Sequence, residues 1–147
     1  MTKLILIQGI PASGKSTKAK ELREEINGIK ISRDDLRDML HGEGLEGENF
    51  DNNLQKDLKE IEMIIAGYYL GRRISVVIDD TNLTDYTIKE WKNLAKNLDV
   101  EFSIYEMNTP YDVCIKRNSK RENPVPKKDM QRMWLVFKNL KKEKENE

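Results

Sequence analysis

The stretch GIPASGKST, from Gly9 to Thr17, decides the fold of this chain. It fits the pattern G-x-x-x-x-G-K-[ST] and directly follows an apolar run, LILI, at Leu4–Ile7. Glycines in such a loop let the backbone curl so that several N–H groups point inward, and the helix that follows adds the positive end of its dipole. The stretch therefore predicts a phosphate-binding loop that joins a strand to a helix.

The same loop predicts which residues surround a nucleotide. The Lys15 amine is expected to reach the β- and γ-phosphates, and the Ser16 hydroxyl to ligate the Mg²⁺ that bridges them, so we expect ATP and Mg²⁺ as cofactors. The alternative is a glycine-rich turn without a ligand, and the strand and helix signals on either side argue against it. The residues expected around the nucleotide are Gly9, Ser13, Gly14, Lys15, Ser16 and Thr17.

Length and charge limit the classes of function that fit. The chain has 147 residues, the usual size of one domain with its own core, and we expect a single domain over residues 1–147. Its 26 basic and 26 acidic residues cancel, so the whole molecule has no net attraction for nucleic acid. The charge is uneven, however. From Lys116 onward basic residues predominate, and a charged tail at about residues 141–147 is expected to fray.

Cysteine usage and hydropathy indicate the compartment. The single cysteine, Cys114, cannot form a disulfide within the chain, which suits a reducing environment, and we expect it to be a small buried residue rather than a nucleophile. No apolar stretch approaches the about 18 residues needed to cross a bilayer, and the N-terminus lacks a signal-peptide pattern. We therefore expect a soluble, cytoplasmic protein with no membrane partner. The sequence leaves its oligomeric state open.

Apolar runs alternate with amphipathic, charged stretches along the whole chain. This alternation is typical of βα units around a parallel sheet, so the predicted fold class is α/β with a four-stranded parallel sheet flanked by helices. The predicted strands are Lys3–Gln8, Ile29–Ser32, Ile74–Asp79 and Val100–Met107.

Helix signals fill the intervals between these strands. A helix leaves the loop near Lys15, Ser32 caps a second, and Thr84 caps another that runs to about Leu98. A long helix is predicted over Phe50–Leu70, one begins near Tyr111, and a last one follows Pro126. HGEGLEGEN, residues 41–49, predicts a loop. We expect His41 to be a loop or helix-end residue without a catalytic role. Apolar residues expected to face the core are Leu36, Met39, Leu40, Leu54, Leu58, Ile61, Ile64, Ile65, Trp134, Leu135 and Phe137.

Three further clusters could carry chemistry on the acceptor side. In SRDDLRD, Asp34 and Arg37 lie three residues apart and so on one helix face, where a carboxylate could take a proton from a hydroxyl and a cation could hold phosphate. A solvated helix start is the alternative. In DDTN, the acids Asp79 and Asp80 end an apolar strand, the place of a Walker-B carboxylate, although a polar turn would look similar.

The third cluster, KRNSKR, places Arg117 and Arg121 four residues apart on one helical face. Arginines there could close over a polyphosphate and neutralise charge as the γ-phosphoryl group moves, so residues of about 116–130 are predicted to form a lid. The alternative is a solvated basic face.

GIPASGKST, SRDDLR, VVIDDTN and KRNSKR followed by VP, in this order, resemble the kinase domain of phage-type polynucleotide 5′-kinases. The resemblance covers nearly the whole chain and implies a P-loop kinase fold with an arginine-bearing helical lid. It implies transfer of the γ-phosphate of ATP to the 5′-hydroxyl end of DNA or RNA, and repair of broken nucleic acid as the process served. Many members also carry a 3′-phosphatase domain, and we expect none here.

The resemblance also implies roles for individual residues. Asp34 corresponds to the general base, Arg37 to the arginine that binds a phosphate of the acceptor strand, and Arg117 and Arg121 to lid arginines that contact ATP. Asp80, with Thr81 beside it, falls on the family's acceptor-side position. Asp79 is a second acid where the family has a small polar residue, so the pattern leaves open which acid acts.

Two rival functions remain at this point. A small-molecule or nucleoside-type P-loop kinase would share the loop, the strand-end acid and the arginine lid. A nucleotide-binding regulatory module would share the loop and the lid but would have no need for Asp34. The patterns do not choose between DNA and RNA, or between single and double strands.

Overall fold

A four-stranded sheet with all strands parallel forms the centre of the protein, as seen in a computed structural model that describes residues 1–42 and 52–145. The strands are β1 (Lys3–Gln8), β2 (Ile29–Ile31), β3 (Val76–Asp79) and β4 (Glu101–Glu106), in the spatial order β2-β3-β1-β4. The predicted α/β class and the four parallel strands are confirmed.

Six helices are present in the described part of the chain. The predicted caps are confirmed, since the Ser32 hydroxyl accepts a hydrogen bond from the Asp35 N–H and the Thr84 hydroxyl accepts one from Thr87. Most of the predicted loop at residues 41–49, and the predicted helix start at Phe50, lie outside the described residues. The helices are α1 (Lys15–Glu25), α2 (Arg33–His41), α3 (Asn52–Gly71), α4 (Asp85–Asn97), α5 (Tyr111–Ser119) and α6 (Lys127–Glu145).

The two central strands, β1 and β3, are buried on both faces because helices cover each side of the sheet. Successive side chains of a strand point to opposite faces, so Ile5 and Ile7 meet α1 through Ala19 and Leu22. Leu4 and Leu6 belong to the larger core on the other face, which α3 and α4 complete. This two-sided burial explains why β1 and β3 read as continuous apolar runs.

A third apolar cluster joins α5 and α6 to the phosphate-binding loop. It contains Ile10 from the loop, Cys114 from α5, and Met130 and Phe137 from α6. Cys114 is fully buried, and this burial raises the pKa of its thiol, which favours the predicted structural role. The two C-terminal helices are thereby packed against the nucleotide end of the sheet.

Four predicted core residues are exposed instead, namely Met39, Leu40, Ile64 and Leu135. In α3 the inward positions are Leu58, Glu62, Ala66 and Leu70, which recur every four residues, so Ile64 lies on the opposite side. Leu135 is likewise turned away from Met130 and Phe137 in α6. In α2, burial stops at Leu36 and Arg37, and the last turn with Met39 and Leu40 extends past the core.

Residues 141–145 of the predicted charged tail belong to α6, and residues 146–147 lie outside the described part of the chain. Lys144 Nζ pairs with Glu106 Oε1 at 2.7 Å, and Lys141 Nζ donates to Asn108 Oδ1 at 3.3 Å. These contacts hold the end of α6 to the edge of β4. Within the described residues, none of the helices has the length and apolar character needed to span a membrane.

Candidate active site

The phosphate-binding loop leaves the carboxyl end of β1 and enters α1 at Lys15. Gly14 takes a left-handed conformation with φ of 92°, which a residue with a side chain adopts only with strain, and Ala12 is also left-handed at 64°. Thr109 Oγ1 donates to the Ser13 carbonyl at 2.6 Å and fixes the loop from the β4 side. The loop is therefore held in the curled form that presents N–H groups to an anion.

Lys15 lies where the charged clusters of the sequence meet. Its amine donates to the Ile10 carbonyl at 3.0 Å. Burial lowers the pKa of Lys15, while the negative charges of Asp79 and Asp34 oppose that shift and the guanidinium of Arg121 adds to it. Side chains from the loop, β3, α2 and the lid segment thus act electrostatically on one ammonium group. The predicted site residues are brought together around it.

Asp79 faces the phosphate-binding loop. Its carboxylate hydrogen-bonds to the Ser16 hydroxyl and feels the charge of Lys15, and Lys30 Nζ lies 3.9 Å from Asp79 Oδ2. Burial raises the pKa of Asp79, and these three partners oppose that rise. Asp79 therefore occupies the Walker-B position relative to the loop.

Asp80 faces the other way, towards the start of α2. Its Oδ1 accepts a hydrogen bond from the Arg33 backbone N–H at 2.9 Å, and its Oδ2 lies 3.6 Å from Arg33 Nη2. The two adjacent acids thus have separate surroundings, one at the phosphate side and one at the acceptor side. Asp79 and Asp80 therefore have different partners, and the sequence pattern alone did not distinguish between the two acids.

Two buried amides, which the sequence patterns did not single out, hold the DDTN turn against β1. Asn82 Nδ2 donates to the Ile7 carbonyl at 2.6 Å, and Gln8 Nε2 donates to the Asn82 carbonyl at 3.0 Å. The Gly9 N–H donates to the Thr81 carbonyl at 3.2 Å. Thr81 therefore lies directly beside the beginning of the phosphate-binding loop. These bonds fix Asp79 and Asp80 relative to Lys15.

Asp34 and Arg37 form the predicted pair on α2. Arg37 Nη2 lies 2.9 Å from Asp34 Oδ1, and the Asp34 side chain is 74% exposed whereas that of Arg37 is only 5% exposed. The arginine is thus buried beside the carboxylate, and the carboxylate is open to solvent. An exposed carboxylate held in place by a buried partner is accessible to the hydroxyl of an acceptor.

Arg117 and Arg121, the two arginines of the predicted lid, lie at the phosphate-binding loop. Together with the loop they line an open pocket of about 250 Å³. Asn118, the residue after Arg117, is buried and closes the loop that carries Arg121, since its side chain donates to the Val125 carbonyl at 2.8 Å and accepts from the Val125 N–H at 3.0 Å. The residues that line the pocket are Ala12, Gly14, Lys15, Ser16, Thr17, Arg117 and Arg121.

The donor chemistry at the loop fits Mg²⁺. This ion prefers oxygen ligands and usually keeps several waters while it binds substrate phosphates. The Ser16 hydroxyl, hydrogen-bonded to the Asp79 carboxylate, offers one such oxygen beside the phosphate pocket. Within residues 1–42 and 52–145 no cluster of three His, Cys, Asp or Glu side chains suits a metal held by protein ligands alone. A phosphate-bound Mg²⁺ therefore fits better than a structural metal.

The parallel sheet, the curled loop at the end of β1 and the arginine-covered pocket define a P-loop domain of the nucleotide-binding kinase type. Comparison with known proteins agrees. The chain belongs to the family described as "AAA domain", whose model matches residues 4–140.

Two curated proteins and one solved structure are similar to the chain. It is 24% identical to the L-seryl-tRNA(Sec) kinase of Methanococcus maripaludis over 91% of its own length and 52% of that protein. It is 31% identical to the "Putative bifunctional polynucleotide kinase/RNA ligase" of Autographa californica nuclear polyhedrosis virus over 84% of its length and 19% of that protein. A chain of the Pnkp1/Rnl/Hen1 RNA repair complex matches with a TM-score of 0.82 and 22% identity, covering 97% of this chain and 46% of that one.

The chain thus spans about half, or less, of each of these three proteins. At this level of identity the structural match demonstrates the P-loop kinase fold. The site residues described above rest on the geometry of this chain.

Proposed function

We propose that the protein is an ATP-dependent kinase that transfers the γ-phosphate to the 5′-hydroxyl end of DNA or RNA. The observation that carries this proposal is the exposed Asp34 carboxylate, which is paired with Arg37. Its negative charge acts on Lys15, where it opposes the lowering of the Lys15 pKa by burial. A nucleotide-binding module would not need an acceptor-side carboxylate at this position. A kinase needs one to remove the proton of the attacking hydroxyl.

In this mechanism the 5′-oxygen attacks the γ-phosphorus and Asp34 takes the hydroxyl proton. A bond forms between the 5′-oxygen and phosphorus while the bond to the β-phosphate oxygen breaks, and ADP leaves. Lys15, Arg117 and Arg121 neutralise the negative charge that spreads over the moving phosphoryl group, because all three line the pocket. Mg²⁺, held by Ser16 and the nucleotide, would supply further positive charge at the β- and γ-phosphates.

The acceptor strand would be held on the α2 side of the site. We infer that Arg37, which is paired with Asp34 on this side, contacts a phosphate next to the terminal nucleoside when a strand binds; Thr81 lies where β3 ends, beside the loop. Asp80 fixes the first residue of α2 and so places Asp34 and Arg37. Similarity to a protein named as a polynucleotide kinase and to a chain of an RNA repair complex supports nucleic acid as the acceptor.

One observation favours a second candidate, a kinase of the small-molecule or nucleoside type, whose acceptor hydroxyl has no strand phosphate beside it. The chain resembles an L-seryl-tRNA(Sec) kinase over 91% of its length. Such an acceptor would place a primary hydroxyl against Asp34 without requiring a strand phosphate near Arg37. The two candidates therefore differ in whether the acceptor needs a neighbouring phosphate.

The test is transfer of labelled γ-phosphate from ATP to 5′-hydroxyl DNA and RNA oligonucleotides. A 5′-phosphorylated copy, a free nucleoside and a nucleoside 3′-phosphate are run beside them. We expect label on the oligonucleotides and the nucleoside 3′-phosphate, and little on the free nucleoside. Label on the nucleoside alone, or hydrolysis of ATP without transfer, would refute the proposal and favour the second candidate.

Asp34→Asn tests the general base with a matched control. We expect its rate of transfer to fall by about 10²- to 10⁴-fold with little change in the apparent KM for ATP. Asp35→Asn is the control, because Asp35 is also an exposed carboxylate of the first turn of α2 but pairs with Lys30 at 3.2 Å. Equal rates in the two variants would remove Asp34 from the mechanism.

A further inference from the structure

Glu62 is a carboxyl group with no exposed surface, in the middle of α3. It lies behind the acceptor side of the site, where it contacts Arg33 and Asp80. A buried carboxyl needs a partner for each oxygen, because an unpaired buried charge is strongly destabilising. The mechanism above assigns Glu62 no role, so its burial needs another explanation.

The hydrogen bonds around Glu62 leave one oxygen without a donor on each of two carboxyl groups, those of Glu62 and Asp80. Arg33 Nε donates to Glu62 Oε1 at 3.2 Å, and the Arg33 backbone N–H donates to Asp80 Oδ1 at 2.9 Å. Glu62 Oε2 and Asp80 Oδ2 are buried and have no donor among the described residues. Asp80 is close enough to Glu62 to raise the pKa of its carboxyl group, and a proton on either group would allow it to donate to the other. A single shared proton satisfies both remaining oxygens.

We propose that Glu62 is a positioning residue that shares a proton with Asp80, and that this acid pair fixes Arg33 and thereby the catalytic Asp34. Arg33 is bound at two points, since Asp80 holds its backbone N–H and Glu62 holds its guanidinium. Asp34 is the next residue in the chain, and its own side chain is mostly exposed. The position of its carboxylate therefore depends on the backbone that the acid pair holds.

The charge balance favours the shared proton. One guanidinium, that of Arg33, faces two carboxyl groups, so the neutral arrangement has one of them protonated. Burial raises the pKa of Glu62 to about 10, with Asp80 acting in the same direction and Arg33 opposing it.

The inference rests on the proposed function for its catalytic consequence, and two variants test it. Glu62→Gln keeps a donor for Asp80 and an acceptor for Arg33, whereas Glu62→Ala removes both. We expect the kcat of Glu62→Gln to stay within about threefold of the parent and that of Glu62→Ala to fall on the order of 10²-fold, because small displacements of a catalytic group are that costly. The KM for ATP should change little in both variants.

Glu60→Ala is the matched control, an exposed glutamate of the same helix, and it should leave kcat unchanged. An unchanged kcat in folded Glu62→Ala would overturn the positioning role. Equal losses in Glu62→Gln and Glu62→Ala would overturn the shared proton, because an ionised Glu62 cannot be replaced by an amide.

Two measurements without substrate separate this inference from the proposed function. At neutral pH the parent should show the infrared band of a protonated carboxyl group, which Glu62→Gln should lose and Glu60→Ala should keep. The Arg33 amide should exchange at least about tenfold faster in Glu62→Ala than in Glu62→Gln, because its acceptor is no longer fixed. If both results hold and no oligonucleotide is phosphorylated, the proposed function fails and the acid pair stands. Absence of both would overturn the inference whatever the activity.

Discussion

Replacing Glu62 by glutamine should change how the stability of the protein depends on pH. In the unfolded chain Glu62 has its ordinary pKa of 4.5, while in the folded protein burial raises it far above that value. Above the ordinary value the unfolded state therefore releases a proton that the folded state keeps. Stability falls with rising pH wherever the unfolded state binds fewer protons, so the parent loses stability across this window. Glutamine carries no such proton and lacks this loss.

The size of the effect follows from the proton count. One proton held only by the folded state changes the free energy of unfolding by ~1.4 kcal/mol per pH unit. From about pH 6 to about pH 8, the parent should lose about 3 kcal/mol relative to Glu62→Gln.

Urea denaturation at several pH values measures this difference. The free energy of unfolding of Glu62→Gln, minus that of the parent, should increase as pH rises. The same difference for the control Glu60→Gln should stay constant. Apart from Glu62 and Glu60, the titrating groups are common to the three proteins and cancel. A constant difference between Glu62→Gln and the parent would mean that Glu62 is ionised in the folded state, and the reasoning would be wrong.

Two further predictions concern other parts of the site and fold. Arg117→Ala should lower the rate of phosphate transfer by about 10²- to 10³-fold, because it removes one donor to the negative charge that develops in the transition state. The control Arg132→Ala removes an exposed arginine of α6 and should leave the rate unchanged. Steady-state kinetics of the two variants measures the difference. Gly28→Ala should destabilise the fold by roughly 1–3 kcal/mol, because a Cβ there would collide with the Ser75 carbonyl oxygen that pairs β2 with β3; Gly71→Ala, which has open space, is the control in thermal melts.

The sequence was sufficient to predict the sheet and to locate the phosphate-binding loop. The strands could be located because two-sided burial produces apolar runs, and helix starts because capping residues such as Ser32 and Thr84 have a local chemical role. Lys15, Asp34 and Arg117 lie in motifs whose spacing is set by local geometry. The local backbone geometry of a short motif can be predicted from its own residues, without knowledge of the rest of the fold.

Inward faces of the outer helices were harder to predict. Ile64 and Leu135 look like core residues because aliphatic side chains favour burial, yet each lies on the far side of its helix. Which side of α3 or α6 faces inward depends on its rotation against the sheet. That rotation is a tertiary property, and single apolar positions do not determine it.

The partners that hold the site were missed for a related reason. Glu62 stands four residues after Leu58 and four before Ala66, an inward position at which a glutamate is unusual. That mismatch was the available signal, but its meaning depends on Arg33 and Asp80, which reach it from other parts of the chain. Asn82 and Asn118 are similar, since each polar side chain bonds to backbone that only the fold brings near.

The placement of these partners accounts for how an exposed catalytic group can be held in position. Asp34 must remain open to an acceptor, so few side chains can pack around its carboxylate. The restraint must then come from behind, through Arg37 beneath it and through Arg33 before it in the chain. Buried polar groups behind the cleft provide that restraint, because a hydrogen bond there is strong and its loss leaves an unpaired group. In the proposed mechanism the acid pair of Glu62 and Asp80 therefore acts on Asp34 through Arg33.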